Sequence, residues 1–431
     1  MKSIRQKLDQ LIADIDAKIE AQASLILHDK VFMQLESKWR GLMSLMDSVD
    51  AGIRHLQSIK ILCMTDREFA KDLGRTSDYE QTFLFKLLYN QEYDMAGGSP
   101  FAMLLLDINI DKKGPYDHLS IIENIMAIAG SCFLPCLLQA SPEWFGLDCY
   151  EDLAKIKNTH IFNSLSHSSR IERLRSFEDA RYLFFVCQRY LWREPFQYRY
   201  QSNGRYGFFE NNSGKQQLCW GSATYLIAKL VLKNYQQTGW FSDINQIKLE
   251  LPKLYHQSDY AKTTPLPRLE LNLFDQESEV LSSMGCLILK ENLYDRTLRL
   301  DKGLAWYKPY HKAKDNLTTQ QAMACVLAYL LCVCRFAHYL KVLGRQKIGS
   351  IQNADDLQAF LQKWVFRYCG GAESFDSNKW LKYPLKSALI KVVDQPKLPG
   401  HFLCSMDLQP NFRIDQVHTH LRLVSIIGKA A

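Results

Sequence analysis

No two of the twelve cysteines stand in a C-x-x-C pair, and at 431 residues the chain is not a short secreted scaffold. Most of the thiols, Cys132, Cys136, Cys187, Cys325 and Cys332 among them, lie inside apolar runs, so they are expected to be buried in a reducing cytoplasm. There is no P-loop, no nucleophile elbow and no Gly-rich turn directly after a strand, which removes the usual signs of nucleotide binding and acyl transfer. The uncharged run AMACVLAYLLCVC, from Ala322 to Cys334, stops at Arg335. That is short of the ~18 apolar residues a membrane span needs, so it is expected to be a buried helix, with no membrane insertion. The first residues, MKSIRQK, form no apolar signal core, and nothing in them directs export. The net charge of +7 is spread over interleaved positives and negatives, short of the concentrated basic patch of a nucleic-acid binder. No internal repeat and no low-complexity tail is present.

What is there belongs to a large folded protein. Hydrophobic residues make up 47% and aromatics 12% of the chain, far from the composition of a disordered one. Ile4, Leu8, Leu11, Ile12, Ile15 and Ile19 recur at helical spacing and predict a long amphipathic N-terminal helix, which must find an apolar groove in its own domain or on a partner. A second helix from about Asp29 carries Phe32, Leu35, Trp39, Leu42, Leu45 and Met46, with Trp39 expected as a core anchor.

From residue 58 onward short apolar runs alternate with helices. Strands are expected at 59–64, 101–108, 133–138 and 182–187. Between them lie helices opened by a Thr65/Glu68 capping box, capped by Asp78 over 79–89, and running over 119–129. Such alternation indicates βαβ units and a mixed, largely parallel sheet flanked by helices. Residues 199–215 read as a polar surface loop, and residues 240–316, with Pro252, Pro265, Pro267 and Pro309, as an irregular outer lobe. Residues 389–393 and 401–406 flank a Pro/Gly loop as a hairpin, and 417–424 alternate apolar and polar side chains. The resulting divisions are 1–57 (N-terminal helices), 58–239 (α/β core), 240–316 (outer lobe), 317–387 (core helices) and 388–431 (C-terminal β segment).

Candidate chemistry is thin. Asp107 and Ser141 fall near the carboxyl ends of predicted strands, where open α/β sheets often place a site, and they are the best case for a cytoplasmic enzyme. His418 and His420 form an H-x-H pair without a third ligand nearby. Arg170, Arg173, Arg175, Arg181 and Arg189 are offset by Glu172, Glu178 and Asp179, as on a solvated charged face. Arg335, His338, Lys341 and Arg345 continue the apolar helix as a basic stripe. That stripe either complements the helix dipole or faces another chain.

Several motifs stand in order along the chain: LESKWRGL (35–42), EYDMAGGSPF (92–101), ASPEWFGL (140–147), EDARY (178–182), LCWGSATY (218–225), RFAHYLK (335–341) followed by KIGS (347–350), and the ending that closes on LRLV (421–424). Together they resemble the large sheath subunit of bacterial type VI secretion systems, the TssC/VipB family. Ser222, Thr224, Cys286 and Ile288 depart from the family pattern. The resemblance implies a structural protein with no enzymatic activity, cofactor or metal. It also implies a small sheath subunit (TssB/VipA) as partner, self-association into a helical tube around the inner Hcp tube, contact with baseplate components, and recycling by an AAA+ ATPase through the small subunit. Its C-terminal strands would be completed by neighbouring chains. On that reading partner contacts are expected at Leu8, Leu11 and Ile15, at Leu403, Val417, Leu421 and Leu423, and at Arg335, Lys341 and Arg345 toward the inner tube.

Overall fold

Asp117 shows how locally the chain writes its elements: its carboxylate accepts the Leu119 and Ser120 amides and so starts the helix that covers the central sheet. A computed structural model describes residues 2–49, 57–74, 78–95, 97–110, 116–154, 169–198, 208–210, 217–241, 244–251, 268–308, 325–347, 353–370, 383–395, 401–410 and 421–427. The helices used below are α1 (Lys2–Leu27), α2 (Lys30–Met46), α3 (Asp66–Gly74), α4 (His118–Cys132), α5 (Ser169–Ser176), α6 (Thr224–Thr238), α7 (Asp275–Ser283), α8 (Leu327–Lys347) and α9 (Ala354–Phe366). The strands are β1 (Leu104–Ile110), β2 (Cys136–Ala140), β3 (Leu183–Val186), β4 (Arg189–Arg193), β5 (Gln197–Tyr198), β6 (Phe208–Phe209), β7 (Cys219–Ser222), β8 (Leu249–Glu250), β9 (Cys286–Asn292), β10 (Thr297–Gly303), β11 (Leu385–Asp394), β12 (Phe402–Pro410) and β13 (Leu421–Ile427).

The main sheet has six strands in the order β1-β2-β3-β9-β10-β8. The first four pair in parallel, and β10 and β8 close the edge antiparallel. Every residue of β2 and β3 is buried, the pattern of parallel strands covered on both faces. Ile121, Ile122, Ile125 and Ile128 of α4 belong to that cover. Of the apolar run expected to be a buried helix, Leu327–Cys334 is one, and residues 322–324 lie outside the described residues. Although α8 is long and apolar enough to cross a membrane by length and composition, Leu327 through Cys334 are all buried in the protein core.

Several expectations change. Residues 59–64 form no paired strand, and Ile61 and Leu62 are exposed; alternation alone does not secure a partner for a strand. The capping box that follows is present: Thr65 and Glu68 exchange their side-chain and backbone bonds. The helix expected over 79–89 is a 3-10 turn capped by Asp78, a single α-turn capped by Thr82, and then a π-helix over Lys86–Asp94. Residues 286–303, expected in an outer lobe, supply β9 and β10 of the core sheet, and 219–222 form a strand ahead of α6. The four prolines of that lobe, most of 199–215, and His418 and His420 lie outside the described residues.

Gly97 and Gly98 make a tight turn. Gly97 sits at φ 85°, in the left-handed region. A Cβ on Gly98 would stand 2.4 Å from the Glu92 carbonyl oxygen. Glu92 is buried, takes the Ser99 amide at 2.8 Å and pairs with Lys60. Gly98→Ala therefore has to push backbone away from backbone, and it is expected to cost about 1–3 kcal/mol of stability in denaturant unfolding. A loss below ~0.5 kcal/mol would show that the loop gives way freely.

Candidate interaction surfaces

Helix α2 turns its small side to the body. Its buried residues are Ser37, Gly41 and Leu45, and at Gly41 the Tyr225 ring comes so near that a Cβ would meet it at 2.5 Å. Phe32, Leu35, Trp39, Met43 and Met46 point outward, with Trp39 60% exposed. The expectation that Trp39 anchors the core is thus overturned. Close approach through the glycine uses the opposite face of the helix and leaves the indole in water. Helix α1 behaves alike: Leu8, Leu11 and Ile15 are 56%, 61% and 56% exposed, and Ile4, Ile12 and Ile19 are exposed beside them. Two successive helices therefore present apolar stripes that nothing in the described residues covers.

This arm is tied down at its elbow by charge. Arg193 at the end of β4 reaches Glu36 of α2 at 2.7 Å and holds both oxygens of Glu210, at 2.5 and 3.2 Å. Glu210 also takes the Phe196 amide at 2.9 Å and pairs with His28, between α1 and α2, at 3.1 Å. Burial alone would raise the Glu210 pKa, but the bonds from Arg193 and Phe196 overcome it and hold the carboxyl below its ordinary range. Farther along, Lys229 donates to the Ser44 hydroxyl and Gln236 to the Ser48 carbonyl.

The basic stripe on α8 does not face outward as expected. Arg335 donates to the Pro100 carbonyl at 2.9 Å and lies over the Tyr339 ring. Arg345 donates to the Tyr93 and Met95 carbonyls. Lys341 reaches the Ser131 carbonyl at 3.0 Å and sits 4.8–5.0 Å from the rings of Tyr89, Tyr93 and Phe133. His338 is buried, with Nε2 at 3.1 and 3.0 Å from the carbonyls of Cys132 and Phe133, so Nε2 carries the hydrogen. The Tyr93 hydroxyl adds a third donor to this end of α4, again on the Cys132 carbonyl. Lys341 and His338 thus satisfy orphan carbonyls at the end of α4, and Arg345 those at the end of the turn over Lys86–Asp94, while Arg335 bonds a loop carbonyl. Burial lowers the Lys341 pKa to about 8, and burial with the nearby Arg335 charge lowers His338 to about 3. Spacing showed the stripe, but carbonyls more than 200 residues away in sequence decide where it points.

The C-terminal sheet is antiparallel in the order β11-β12-β13. Leu403 is exposed and stands opposite Val393, also exposed, while Ile390, Val392, Phe402, Cys404 and Met406 are buried. Leu421 and Leu423 lie in β13, in register with Leu408 and Met406. Val417 lies outside the described residues.

The residues proposed for catalysis are not brought together by any contact. Asp107 is bonded by the Tyr225 hydroxyl at 2.9 Å, and burial raises its pKa against the opposing effects of Lys38 and Tyr225. The Ser141 hydroxyl donates to the Ile110 carbonyl at 3.1 Å, as does its amide. Among the described residues no base stands at its oxygen, as an activated serine nucleophile would need.

The sequence matches the family described as EvpB/VC_A0108 tail sheath. The match covers its N-terminal domain over residues 9–296 and its gpW/gp25-like domain over residues 316–427. The type VI secretion system sheath protein TssC1 of Pseudomonas aeruginosa is 28% identical over 437 residues, spanning 99% of this chain and 86% of that protein. Among solved structures, the sheath tail protein Lin1278 of Listeria innocua overlays with a TM-score of 0.34 at 8% identity, over 77% of this chain and 57% of its own. A chain of the anti-feeding prophage baseplate overlays with a TM-score of 0.34 at 8% identity, over 75% of this chain and 64% of its own. This chain spans less than two thirds of either solved chain, and overlays this loose carry no argument. The family match does: with both of its domains found in order from residue 9 to residue 427, the chain belongs to the VipB tail-sheath family and is a structural sheath protein.

Proposed function

We propose that this sheath protein is the large subunit of a contractile type VI secretion sheath, working in the bacterial cytoplasm. It co-assembles with a small sheath subunit into a helical tube around an inner tube and does no catalysis itself. The observation that supports this best is the arm: two helices whose apolar stripes are turned to water while their small residues pack inward. Patches of that kind mark protein–protein contact. Their residues recur every three or four positions, which suits a helical partner laid alongside. The C-terminal sheet supplies a second joint, where strands of neighbouring chains extend β structure and fix register through backbone hydrogen bonds. A head-to-tail joint that does not close on itself builds a helical tube. Contraction then draws on the packing of subunits, with no bond chemistry in this chain.

The test is co-expression with a small sheath subunit followed by electron microscopy. Leu8, Leu11 and Ile15 are already in water in the single chain. Replacing all three by Asp is therefore expected to move the unfolding free energy of the free chain by no more than about 0.5 kcal/mol each. The same variant should lose co-purification with the small subunit, and tubes with it. Normal tubes from the triple variant would refute the arm as a docking element.

A further inference from the structure

One outer edge of the C-terminal sheet is bonded from within the chain. In the order β11-β12-β13 the outer strands are β11 and β13, and an outer strand presents backbone groups that another chain can use as a template. On β11 several of those groups are taken. The Gln362 side chain donates to the Ala388 carbonyl at 2.9 Å and accepts the Ile390 amide at 2.7 Å. One helical turn earlier, the Gln358 side chain accepts the Val392 amide at 2.9 Å. Nearer the start of the strand, Leu385 exchanges both of its backbone bonds with the segment that follows α9, through the Tyr368 carbonyl and the Gly370 amide. A primary amide carries the same donor and acceptor as a peptide group. Gln362 therefore occupies the bonding positions of one residue of an incoming strand, and Gln358 the acceptor of the next. Their four-residue spacing on α9 sets the two amides beside residues two apart on the strand.

We propose that Gln358 and Gln362 close the β11 edge, so that an extended segment of another chain can join this sheet only beside β13. This deepens the strand-joining part of the function proposed above and rests on it. A sheet with two open edges would accept partners on either side. Those additions differ in direction and register and would branch an assembly that has to repeat in one way. With one edge closed by its own helix, the sheet has a single growing side.

The test uses the full chain, with and without the co-expressed small subunit, and a Gln358→Met/Gln362→Met variant that keeps side-chain volume but removes the three bonds. A Gln358→Glu variant keeps the acceptor for Val392 and serves as the conservative control. Hydrogen exchange is read on peptides covering residues 385–394 and 421–427. The wild-type chain alone should protect the Ile390 and Val392 amides already. The double Met variant should exchange them about tenfold faster or more, and the Glu variant should stay near wild type. On assembly, protection should rise over β13 and stay level over β11, whereas the double Met variant should gain protection on both edges and form irregular aggregates beside tubes. Unchanged exchange in the double Met variant would overturn the proposal, as would wild-type assembly that adds a foreign strand beside β11. If exchange behaves as expected in the free chains but neither edge gains protection on assembly, β11 is closed as stated, and the strand-joining reading and the restriction to β13 fall. Should the double Met variant not fold, the exchange of wild-type β11 before and after assembly still decides the question.

Discussion

Arg193→Ala is expected to destabilise the chain by about 3–5 kcal/mol, the usual result of leaving one member of a buried ion pair without its partner. The side chains of Arg193 and Glu210 are 6% and 1% exposed, and the arginine also holds Glu36. Removing it strands a carboxylate that burial would neutralise, and it frees the elbow between α1 and α2 at the same stroke. Denaturant unfolding followed by tryptophan fluorescence measures the loss. The double variant Arg193→Met/Glu210→Leu should recover much of it, because apolar residues of similar volume need no counter-charge. A cost under ~1 kcal/mol for Arg193→Ala would mean that water reaches the pair and that the arm is held by packing alone.

Acid is expected to weaken the chain through His338. In the unfolded chain this imidazole titrates near 6.5; in the fold it stays neutral until about pH 3, because burial and the charges of Arg335 and Lys341 disfavour the imidazolium more than its bonds to the Cys132 and Phe133 carbonyls favour it. As the pH falls below 6.5 the unfolded state takes up a proton that the folded state refuses, so stability declines from there toward pH 3. By pH 4 the decline from this residue amounts to roughly 3 kcal/mol. His338→Gln keeps a neutral donor at the end of α4 and should flatten that part of the curve. The carboxylates held below their ordinary range, Glu210 and Glu68, still lose stability in acid in both proteins. The measured quantity is therefore the difference between the two pH profiles, and parallel profiles from pH 7 to 4 would show that His338 is protonated within the fold.

The two N-terminal helices, α4, the buried run of α8, the capping box at Thr65 and the antiparallel pairing of the tail are legible because each rests on contacts a few residues apart or on simple periodicity. Direction is a different matter. Periodicity marks Trp39 as part of an apolar stripe, but whether a stripe faces in or out depends on which other surface lies nearer. Here the near surface is Tyr225, admitted by Gly41. Arg335, Lys341 and Arg345 line up at helical spacing, and nothing local reveals that the carbonyls of Ser131, Tyr93, Met95 and Pro100 will receive them. The π-helix over 86–94 escapes notice for a related reason: its stacked rings, Phe85 on Tyr89 and Tyr89 near Tyr93, keep the four-residue spacing of an ordinary helix. The partners of Asp107 and Ser141, the Tyr225 hydroxyl and the Ile110 carbonyl, likewise leave no local trace. The glutamines of α9 carry no local signal of their role, and only the strand beside them gives them a task.

An arm with its greasy side turned to water makes the chain sensitive to dosage. Copies synthesised with α1 and α2 uncovered meet mainly one another, and at high concentration such exposed apolar stripes feed precipitation. Supply in step with a companion, from neighbouring reading frames or through a chaperone's hold, is the demand that this geometry places on the cell.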